Sequence, residues 1–242
     1  MLFDLDVTSL LKFYLTESYP CSYLPGREAR SQVVVSSHGI DSKVYGLLVS
    51  RGFRRSGVFT YRPWCHGCQA CQSLRVDVNA FTQQRSQRRA WLRHQNLMAT
   101  EKPLDFSDEH YQLYCAYQNQ RHPSGGMDQD GCEQYVQFLL QTQVDTRLVE
   151  FRDEAGTLRI VSIMDVLGDG ISAVYTWYDV TALKSSYGIY AILWQIQWCR
   201  RLGLSYLYLG YWVAGSDKMR YKNMFRPCQL LINGRWTEGS GN

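Results

Sequence analysis

Residues 158–209 read LRIVSIMDVLGDGISAVYTWYDVTALKSSYGIYAILWQIQWCRRLGLSYLYL, and this stretch decides the fold. Two runs rich in β-branched and aromatic residues flank Gly168-Asp169-Gly170, which predicts a hairpin because glycine tolerates a positive φ. An amphipathic pattern over residues 187–202, followed by Gly203, indicates a helix. The run at residues 206–209 then predicts a further strand.

The segments before this stretch complete the order of elements. Helices are expected over residues 107–120 and 131–143, and a strand at 147–152 precedes the hairpin strands at 158–166 and 170–178. Helices, a three-stranded meander, a crossover helix and another strand are typical of an acyltransferase fold of the GNAT type, within the mixed α/β (α+β) class. In that fold the strands joined by the crossover helix are parallel and splay apart. The splay exposes backbone groups that hold an acyl carbonyl.

The first hundred residues differ in charge from the rest of the chain. They hold 13 Lys and Arg against 6 Asp and Glu, whereas residues 101–242 hold 13 against 16. This asymmetry favours a polyanionic partner for the first half. We predict an N-terminal basic, Cys-containing subdomain at residues 1–102 and a GNAT-like domain at 103–242. The elements expected in the first part are a helix at 8–15 capped by Thr8, a helix at 41–51, strands at 58–61 and 74–78, and a basic helix at 86–98.

The N-terminal sequence and the hydropathy pattern bear on the cell compartment. The chain starts with MLFDLD, which is acidic where a secretion signal requires positive charge. No run approaches the roughly 18 apolar residues that a membrane span needs. We therefore expect a cytoplasmic protein with no membrane partner, in which the 8 cysteines are reduced thiols.

The turn before the crossover helix, Lys184-Ser185-Ser186-Tyr187-Gly188, predicts an anion site. The N–H groups at a helix N-terminus and a nearby lysine attract phosphate, so Ser185, Ser186 and Gly188 are candidate substrate-binding residues. The paired glycines that would cradle the pyrophosphate of CoA are missing. A nucleic-acid 3′ end therefore fits better than the cofactor of an N-acetyltransferase. A capped helix without a ligand is the alternative.

The predicted basic helix places arginines at four positions that share one face. Arg88 and Arg89 are the candidates to contact nucleic-acid phosphates from this face. A solvated charged face is the alternative interpretation. The four positions are Arg85, Arg88, Arg89 and Arg93.

The run Cys65-His66-Gly67-Cys68-Gln69-Ala70-Cys71 is the sharpest local pattern. Three thiols at this spacing are able to ligate zinc or an iron–sulfur cluster, with Cys21 or His66 as a fourth ligand. No second C-x-x-C pair closes a zinc site. We favour structural thiols in a tight turn, and we expect activity without a metal or another cofactor.

Short motifs occur in one order along nearly the whole chain, from about residue 5 to residue 236. Besides the cysteine run, they are Cys21-Ser22-Tyr23-Leu24-Pro25, Gly52-Phe53-Arg54-Arg55-Ser56-Gly57, Tyr61-Arg62-Pro63, Ser86-Gln87-Arg88-Arg89, Arg121-His122, Ser172-Ala173-Val174-Tyr175, Tyr208-Leu209-Gly210-Tyr211-Trp212, Lys218-Met219 and Tyr221-Lys222. In these motifs the chain resembles the arginyl-tRNA–protein transferase family. Its short length and cysteine turn resemble the bacterial branch, the aspartate/glutamate leucyltransferases.

The resemblance implies a reaction. Leucine would pass from leucyl-tRNA to the N-terminus of proteins that begin with Asp or Glu, which marks them for degradation by the N-end rule. Transfer of arginine to the same acceptors and a non-enzymatic RNA-binding protein remain the alternatives. An aminoacyl ester is already activated, and the attacking α-amine has a reference pKa of about 7.7–8.0, so a weak base suffices.

Two sets of side chains are candidates for this chemistry. Tyr211 and Asp165 are the polar groups predicted near the reacting centre, where a tetrahedral oxyanion needs hydrogen-bond donors. Lys218, Arg54 and Arg75 are the candidates to bind the carboxylate of the acceptor's first residue. A structural hydrogen bond or a surface ion pair is the alternative for each.

Overall fold

A large mixed sheet with helices packed against it organises the chain in the computed structural model, which describes residues 11–37, 39–121, 131–181 and 185–239. The helices are α1 Ser42–Ser50, α2 Arg85–His94, α3 Asp108–Arg121, α4 Cys132–Tyr135 with a π-helical turn Val136–Leu140 after it, α5 Tyr187–Arg201, and a 3₁₀ helix Asp217–Met224. The strands are β1 Leu11–Leu15, β2 Tyr19–Pro20, β3 Glu28–Ala29, β4 Ser31–Ser36, β5 Arg54–Ser56, β6 Phe59–Pro63, β7 Cys71–Asp77, β8 Met98–Lys102, β9 Thr146–Arg152, β10 Leu158–Val166, β11 Gly170–Tyr178, β12 Tyr206–Val213, β13 Cys228–Ile232 and β14 Arg235–Glu238.

Strands from both halves of the sequence share the large sheet. Its order within the described residues is β14-β13-β7-β12-β11-β10-β9-β8. The β11–β12 pair is parallel, and the other pairs are antiparallel. A smaller sheet has the order β1-β4-β6-β5, and β2 and β3 form a short ribbon. Because β7 lies between β12 and β13, the sheet contains strands from both sides of the predicted boundary at residue 102. The division into two domains stays a prediction.

The parallel pair β11 and β12 separates soon after it begins. It pairs only from Gly170–Tyr206 to Ser172–Tyr208. Beyond that point β12 continues beside β7 as far as Val213, while β11 continues beside β10. A gap therefore opens between residues 173–178 and 209–213. The strand, crossover helix and splayed parallel strand confirm the predicted GNAT-like arrangement.

Apolar side chains of the helices hold this sheet from both sides. Helix α5 buries Leu193 and Ile196 completely in a core with β7, β10 and β12. Tyr45 of α1 packs in a second cluster with Tyr208, and Tyr114 of α3 packs in a third with Trp177. No helix of the described residues combines the length and the apolar character required to cross a bilayer.

Two predicted helices differ from the structure. The expected helix at 8–15 is wrong for residues 11–15, which form β1 and pair with β4, while residues 1–10 lie outside the described residues. The basic helix ends at His94 instead of residue 98, and Met98–Lys102 pairs with β9. Short segments fit either periodicity, and long-range strand pairing decides between them. The remaining predicted helices and strands are present with end shifts of a few residues.

Candidate active site

The guanidinium of Arg54 occupies the gap between β11 and β12. Its Nη2 donates hydrogen bonds to the carbonyl oxygens of Ala173, at 2.7 Å, and Val174, at 3.2 Å, on β11. On the β12 side it lies against Gly210, where a Cβ would be 2.0 Å from Nη1. Gly210 also has a φ of +74°, which favours glycine. The Arg54 guanidinium therefore forms the floor of the gap, and it carries a permanent positive charge.

Two nitrogens of this guanidinium, Nε and Nη1, make no hydrogen bond within the described residues. Arg54 is half-buried, and among the described residues neither Nε nor Nη1 has a hydrogen-bond acceptor. No carboxylate of those residues forms an ion pair with it. These two nitrogens lie on different edges of the guanidinium, and each is able to donate one charge-assisted hydrogen bond to an anion. The floor of the gap is thus able to bind an anionic group.

Lys222 on the 3₁₀ helix is a second cation beside the gap. It is only 7% exposed, and its Nζ donates to the carbonyl oxygen of Tyr211 on β12 at 2.7 Å. Burial and the neighbouring Arg54 guanidinium lower the pKa of the Lys222 amine to about 7. A large fraction of this amine is therefore neutral at physiological pH.

Aromatic side chains form a wall where β11 meets α5. The rings of Tyr117 and Tyr178 lie edge to face with their centres 4.9 Å apart. Gly188 brings α5 close to this wall, since a Cβ there would lie 3.1 Å from the Tyr178 ring. Burial raises the pKa of Tyr117, so its phenol is neutral. Gly188 thus serves close packing at the start of the helix.

Helix α5 begins beside this wall, after Ser186. Ser186 has a φ of +61°, and its side chain makes no capping hydrogen bond. The carbonyl oxygen of Ser185 contacts Nε2 of His94, and burial lowers the pKa of that imidazole. Lys184, the cation predicted here, lies outside the described residues. The Ser186 side chain thus does not cap the first turn of α5, and the anion site at this turn stays a prediction.

The basic helix α2 is packed next to this helix start. Its Trp91 ring lies 5.3 Å from that of Tyr190 on α5, and Gln87 donates to the Met224 carbonyl at 2.9 Å. Arg88 and Arg89 are exposed on the outer side of α2, as are Arg85 and Arg93. The inner face of α2 therefore packs against α5, with His94 in contact with Ser185, while the arginines of α2 face solvent.

Comparison with known proteins identifies the family. Two family models match, the C terminus of arginine-tRNA-protein transferase over residues 109–232 and its N terminus over residues 19–89. The chain belongs to the arginine-tRNA-protein transferase family. Within the family it is similar to proteins named aspartate/glutamate leucyltransferase. The one from Nitrosospira multiformis is 58% identical over 94% of this chain and 90% of that one, and the one from Thiobacillus denitrificans is 55% identical over 93% and 94%.

A longer match and a solved structure complete the comparison. The aspartate/glutamate leucyltransferase of Polynucleobacter asymbioticus is 50% identical over 99% of this chain and 98% of that one. The structure of L-PGS from Bacillus licheniformis covers 71% of this chain and 59% of that chain, with 14% identity and a TM-score of 0.48.

Arg75 and Lys218, the other two predicted acceptor-binding residues of this transferase, have different surroundings from Arg54. Arg75 is buried, with its guanidinium 3.6 Å from the centre of the Tyr206 ring and 4.3 Å from that of Trp236. It also donates to Gln229 at 2.8 Å, so its environment is that of a packing residue. Lys218 is exposed on the first turn of the 3₁₀ helix. Arg54 therefore contacts the gap and Arg75 does not, whereas a role of Lys218 in acceptor binding stays a prediction.

The side chains predicted to be catalytic have structural partners. The two carboxylate oxygens of Asp165 each accept from Arg55 at 2.8 Å, and Oδ1 also accepts from Thr146 at 2.7 Å. Asp165 lies on β10, so β11 separates it from the gap. The hydroxyl of Tyr211 donates to the Gly52 carbonyl at 2.9 Å. These contacts leave neither side chain directed at a substrate, whereas the Tyr211 carbonyl holds Lys222.

The cysteine turn forms a cluster of partly buried thiols with Cys21. Burial, with the neighbouring thiols of Cys21, Cys65 and Cys68, raises the pKa of Cys71 to about 12. Cys71 is therefore protonated near neutral pH and unsuited to act as a nucleophile. Among the described residues, no group of three or more His, Cys, Asp or Glu side chains is arranged to hold a metal ion.

Sequence reasoning missed Lys222 although it lies in a quoted motif, Tyr221-Lys222. The residues around it are polar, and this composition predicts an exposed helix. Burial of Lys222 arises because β12 and the 3₁₀ helix pack together and enclose the amine. A lysine next to a tyrosine is a common pair, so it does not predict a buried amine.

Proposed function

We propose that this transferase moves leucine from leucyl-tRNA to the N-terminal amine of proteins that begin with Asp or Glu, in the cytoplasm, and so marks them for degradation by the N-end rule. The observation that carries the proposal is the Arg54 guanidinium on the floor of the splayed gap. The names of the relatives, which cover almost the whole chain, support both the acceptor and the transferred residue.

The tRNA occupies the side of the molecule that carries α2 and the start of α5. Exposed arginines such as Arg88 and Arg89 contact its backbone phosphates. The N–H groups of the first turn of α5, which the Ser186 side chain does not cap, bind a phosphate near its 3′ end. This places the aminoacyl ester at the gap, because the first turn of α5 adjoins Tyr178 at the end of β11.

The acceptor enters the gap with its first residue directed to Arg54. The side-chain carboxylate of Asp or Glu accepts a hydrogen bond from Nε or from Nη1, which lie on different edges of the guanidinium and are the donors that the described part of the chain leaves without an internal partner. An Asn or Gln side chain offers no negative charge to this desolvated cation and binds less well. The α-amine beside it then attacks the carbonyl carbon of the ester.

Charge in the gap favours leucine over arginine as the transferred group. An arginyl side chain would add a positive charge beside Arg54 and the partly protonated Lys222. A leucyl side chain brings no such repulsion. CoA-dependent acetylation is disfavoured because the turn before α5 has Ser185-Ser186 where a pyrophosphate loop needs paired glycines.

The test combines a peptide that begins with Asp with either leucyl-tRNA or arginyl-tRNA, and reads the product mass. We expect the mass of one leucine residue to be added, and no addition to a peptide with an acetylated N-terminus. A peptide that begins with Asn should react poorly. Addition of arginine instead, or binding of RNA without any product, would contradict the proposal.

Two variants locate the acceptor site. Arg54→Met should lower kcat/KM for the Asp peptide by roughly 10- to 150-fold, which corresponds to about 1.5–3 kcal/mol for a hydrogen bond to a charged group. Lys218→Met is the matched control on the exposed 3₁₀ helix, and it should leave the preference for Asp over Asn unchanged. Loss of that preference in Lys218→Met alone would assign carboxylate recognition to Lys218.

A further inference from the structure

Lys222 is enclosed by groups that do not neutralise its charge. The 3₁₀ helix supplies the amine, β12 supplies the Tyr211 carbonyl 2.7 Å from Nζ, and β5 supplies the Arg54 guanidinium as the facing charged group. Within the described residues, no carboxylate lies at ion-pair distance from Nζ. A buried ammonium that lacks a counterion is unfavourable, so the surroundings favour the neutral amine.

The position of Lys222 is as informative as its burial. Its hydrogen-bond partner, Tyr211, follows Gly210, the residue against which the Arg54 guanidinium packs. The amine therefore lies beside the floor of the gap, where the proposed function places the reacting ester. One N–H of Lys222 donates to the Tyr211 carbonyl, which fixes the orientation of the amine. The lone pair of the neutral amine remains available for a proton.

We propose that Lys222 is the proton acceptor and donor of the transfer reaction, an assignment that rests on the proposed function. The nitrogen of the acceptor forms a bond to the ester carbonyl carbon, and the π electrons of the carbonyl move to its oxygen. A proton of that nitrogen passes to Nζ of Lys222. When the bond from carbon to the ribose 3′ oxygen breaks, the same proton passes from Nζ to that oxygen. Lys222 returns to the neutral amine, and no other reactant is consumed.

The competing role for a cation in this position is to bind the acceptor carboxylate together with Arg54. The two roles require opposite protonation states. A carboxylate-binding Lys222 must be charged, so activity would fall as pH rises through about 7. A proton-accepting Lys222 must be neutral, so activity rises through the same range. Arginine at this position preserves the first role and removes the second.

The experiment measures single-turnover transfer to an Asp peptide from saturating leucyl-tRNA in wild type, Lys222→Arg and Lys222→Met. We expect both variants to lose roughly 10²- to 10⁴-fold in rate at pH 7, the usual contribution of a positioned acid–base group. The dissociation constant for leucyl-tRNA, measured by filter binding, should remain within about two-fold of wild type. Lys43→Arg and Lys43→Met, at an exposed lysine of α1, are the matched controls and should keep full rate. Lys222→Arg with more than about a tenth of the wild-type rate would overturn the proposal.

The pH profile separates catalysis from a structural effect. Below pH 7, log kcat/KM for the peptide should rise with a slope of about two in wild type, since the peptide amine and Lys222 must both lose a proton. The slope should be about one in Lys222→Met. A wild-type rate that falls as pH rises through 7 would instead assign Lys222 to carboxylate binding and overturn the proposal.

A spectroscopic measurement keeps the test independent of variant folding. In wild-type protein labelled with ¹⁵N at the lysine side chains, one Nζ resonance should titrate with a midpoint near pH 7, as the buried amine requires. A midpoint above about 9 for the resonance that disappears in Lys222→Met would refute the assignment. If wild type forms no leucyl product at all, the proposed function fails. If it forms product while Lys222→Arg matches it, only the role of Lys222 fails.

Discussion

Replacing Gly210 with alanine tests whether the packed guanidinium controls the active site. The new Cβ would lie 2.0 Å from Nη1, 2.4 Å from Cζ and 2.8 Å from Nε of Arg54, so the side chain must move. Gly215→Ala is the matched control, because Gly215 has a φ of +83° and open space where a Cβ would lie. Both variants place alanine in the left-handed region, but only Gly210→Ala displaces Arg54.

The cost of placing alanine in the left-handed region and the cost of displacing Arg54 can be estimated separately. Alanine in the left-handed region costs about 1–3 kcal/mol of unfolding free energy at either position. Displacing Arg54 also breaks the hydrogen bonds that its Nη2 donates to Ala173 and Val174, which we count together as one bond from a charged donor worth about 1.5–3 kcal/mol net. We expect Gly210→Ala to lose on the order of 2–3 kcal/mol more than Gly215→Ala. For a chain of this size that is a Tm difference of roughly 4–12 °C.

The assay combines thermal unfolding with acceptor kinetics. Gly210→Ala should lower kcat/KM for the Asp peptide at least about 10-fold, while leucyl-tRNA binding and the activity of Gly215→Ala are retained. In an Arg54→Ala background the clash is absent and the hydrogen bonds are already lost, so Gly210→Ala and Gly215→Ala should lower the unfolding free energy equally. Equal stability and equal activity of Gly210→Ala and Gly215→Ala would refute the reasoning.

Two further predictions concern residues outside the gap. Replacing Arg88 and Arg89 with Glu should raise KM for leucyl-tRNA and reduce the slope of log KM against log salt by roughly 0.7–0.9 for each phosphate that these side chains no longer neutralise. The control Arg235→Glu, at an exposed arginine on β14, should change neither quantity. An unchanged KM at low salt would remove α2 from the tRNA site. Asp165→Ala should lower the unfolding free energy, measured by urea titration, by about 3–5 kcal/mol because it leaves Arg55 buried and unpaired. The double variant Arg55→Met with Asp165→Leu should have nearly the wild-type unfolding free energy. Loss of Asp-peptide selectivity in a folded Asp165 variant would return this residue to the active site.

Local periodicity accounts for the part of the fold that sequence predicts well. The Gly168-Asp169-Gly170 turn, the apolar face of α5 and the short strand after it each carry a pattern within one element. The order of these elements then implies the parallel pair, because a crossover helix must return the chain in the same direction. The basic face of α2 is equally local, since helical spacing alone brings its arginines together.

The partners of polar side chains lie beyond the reach of local pattern. Arg54 and Arg55 are neighbours on β5, and successive residues of a strand point to opposite sides. Arg55 pairs with Asp165, 110 residues away, whereas Arg54 reaches the gap. Sequence predicts the alternation but gives no means of deciding which arginine meets the carboxylate. Tyr211 and Arg75 illustrate the same limit, because burial and distant partners occupy their polar atoms.

The two cations of the gap divide recognition and proton transfer according to their chemistry. A guanidinium keeps its charge throughout the physiological range, so Arg54 is able to bind a carboxylate at any pH at which the acceptor side chain is ionised. An amine responds to burial, and Lys222 therefore titrates near neutrality beside that same permanent charge. Arg54 contributes to the lowered pKa, which means that the residue that binds the acceptor also keeps the neighbouring amine neutral. When a carboxylate neutralises Arg54, this repulsion weakens and the pKa of Lys222 rises. The higher pKa makes the neutral amine a stronger base but lowers its neutral fraction at a given pH, so the rise of the rate with pH should shift to higher pH when the acceptor is acidic.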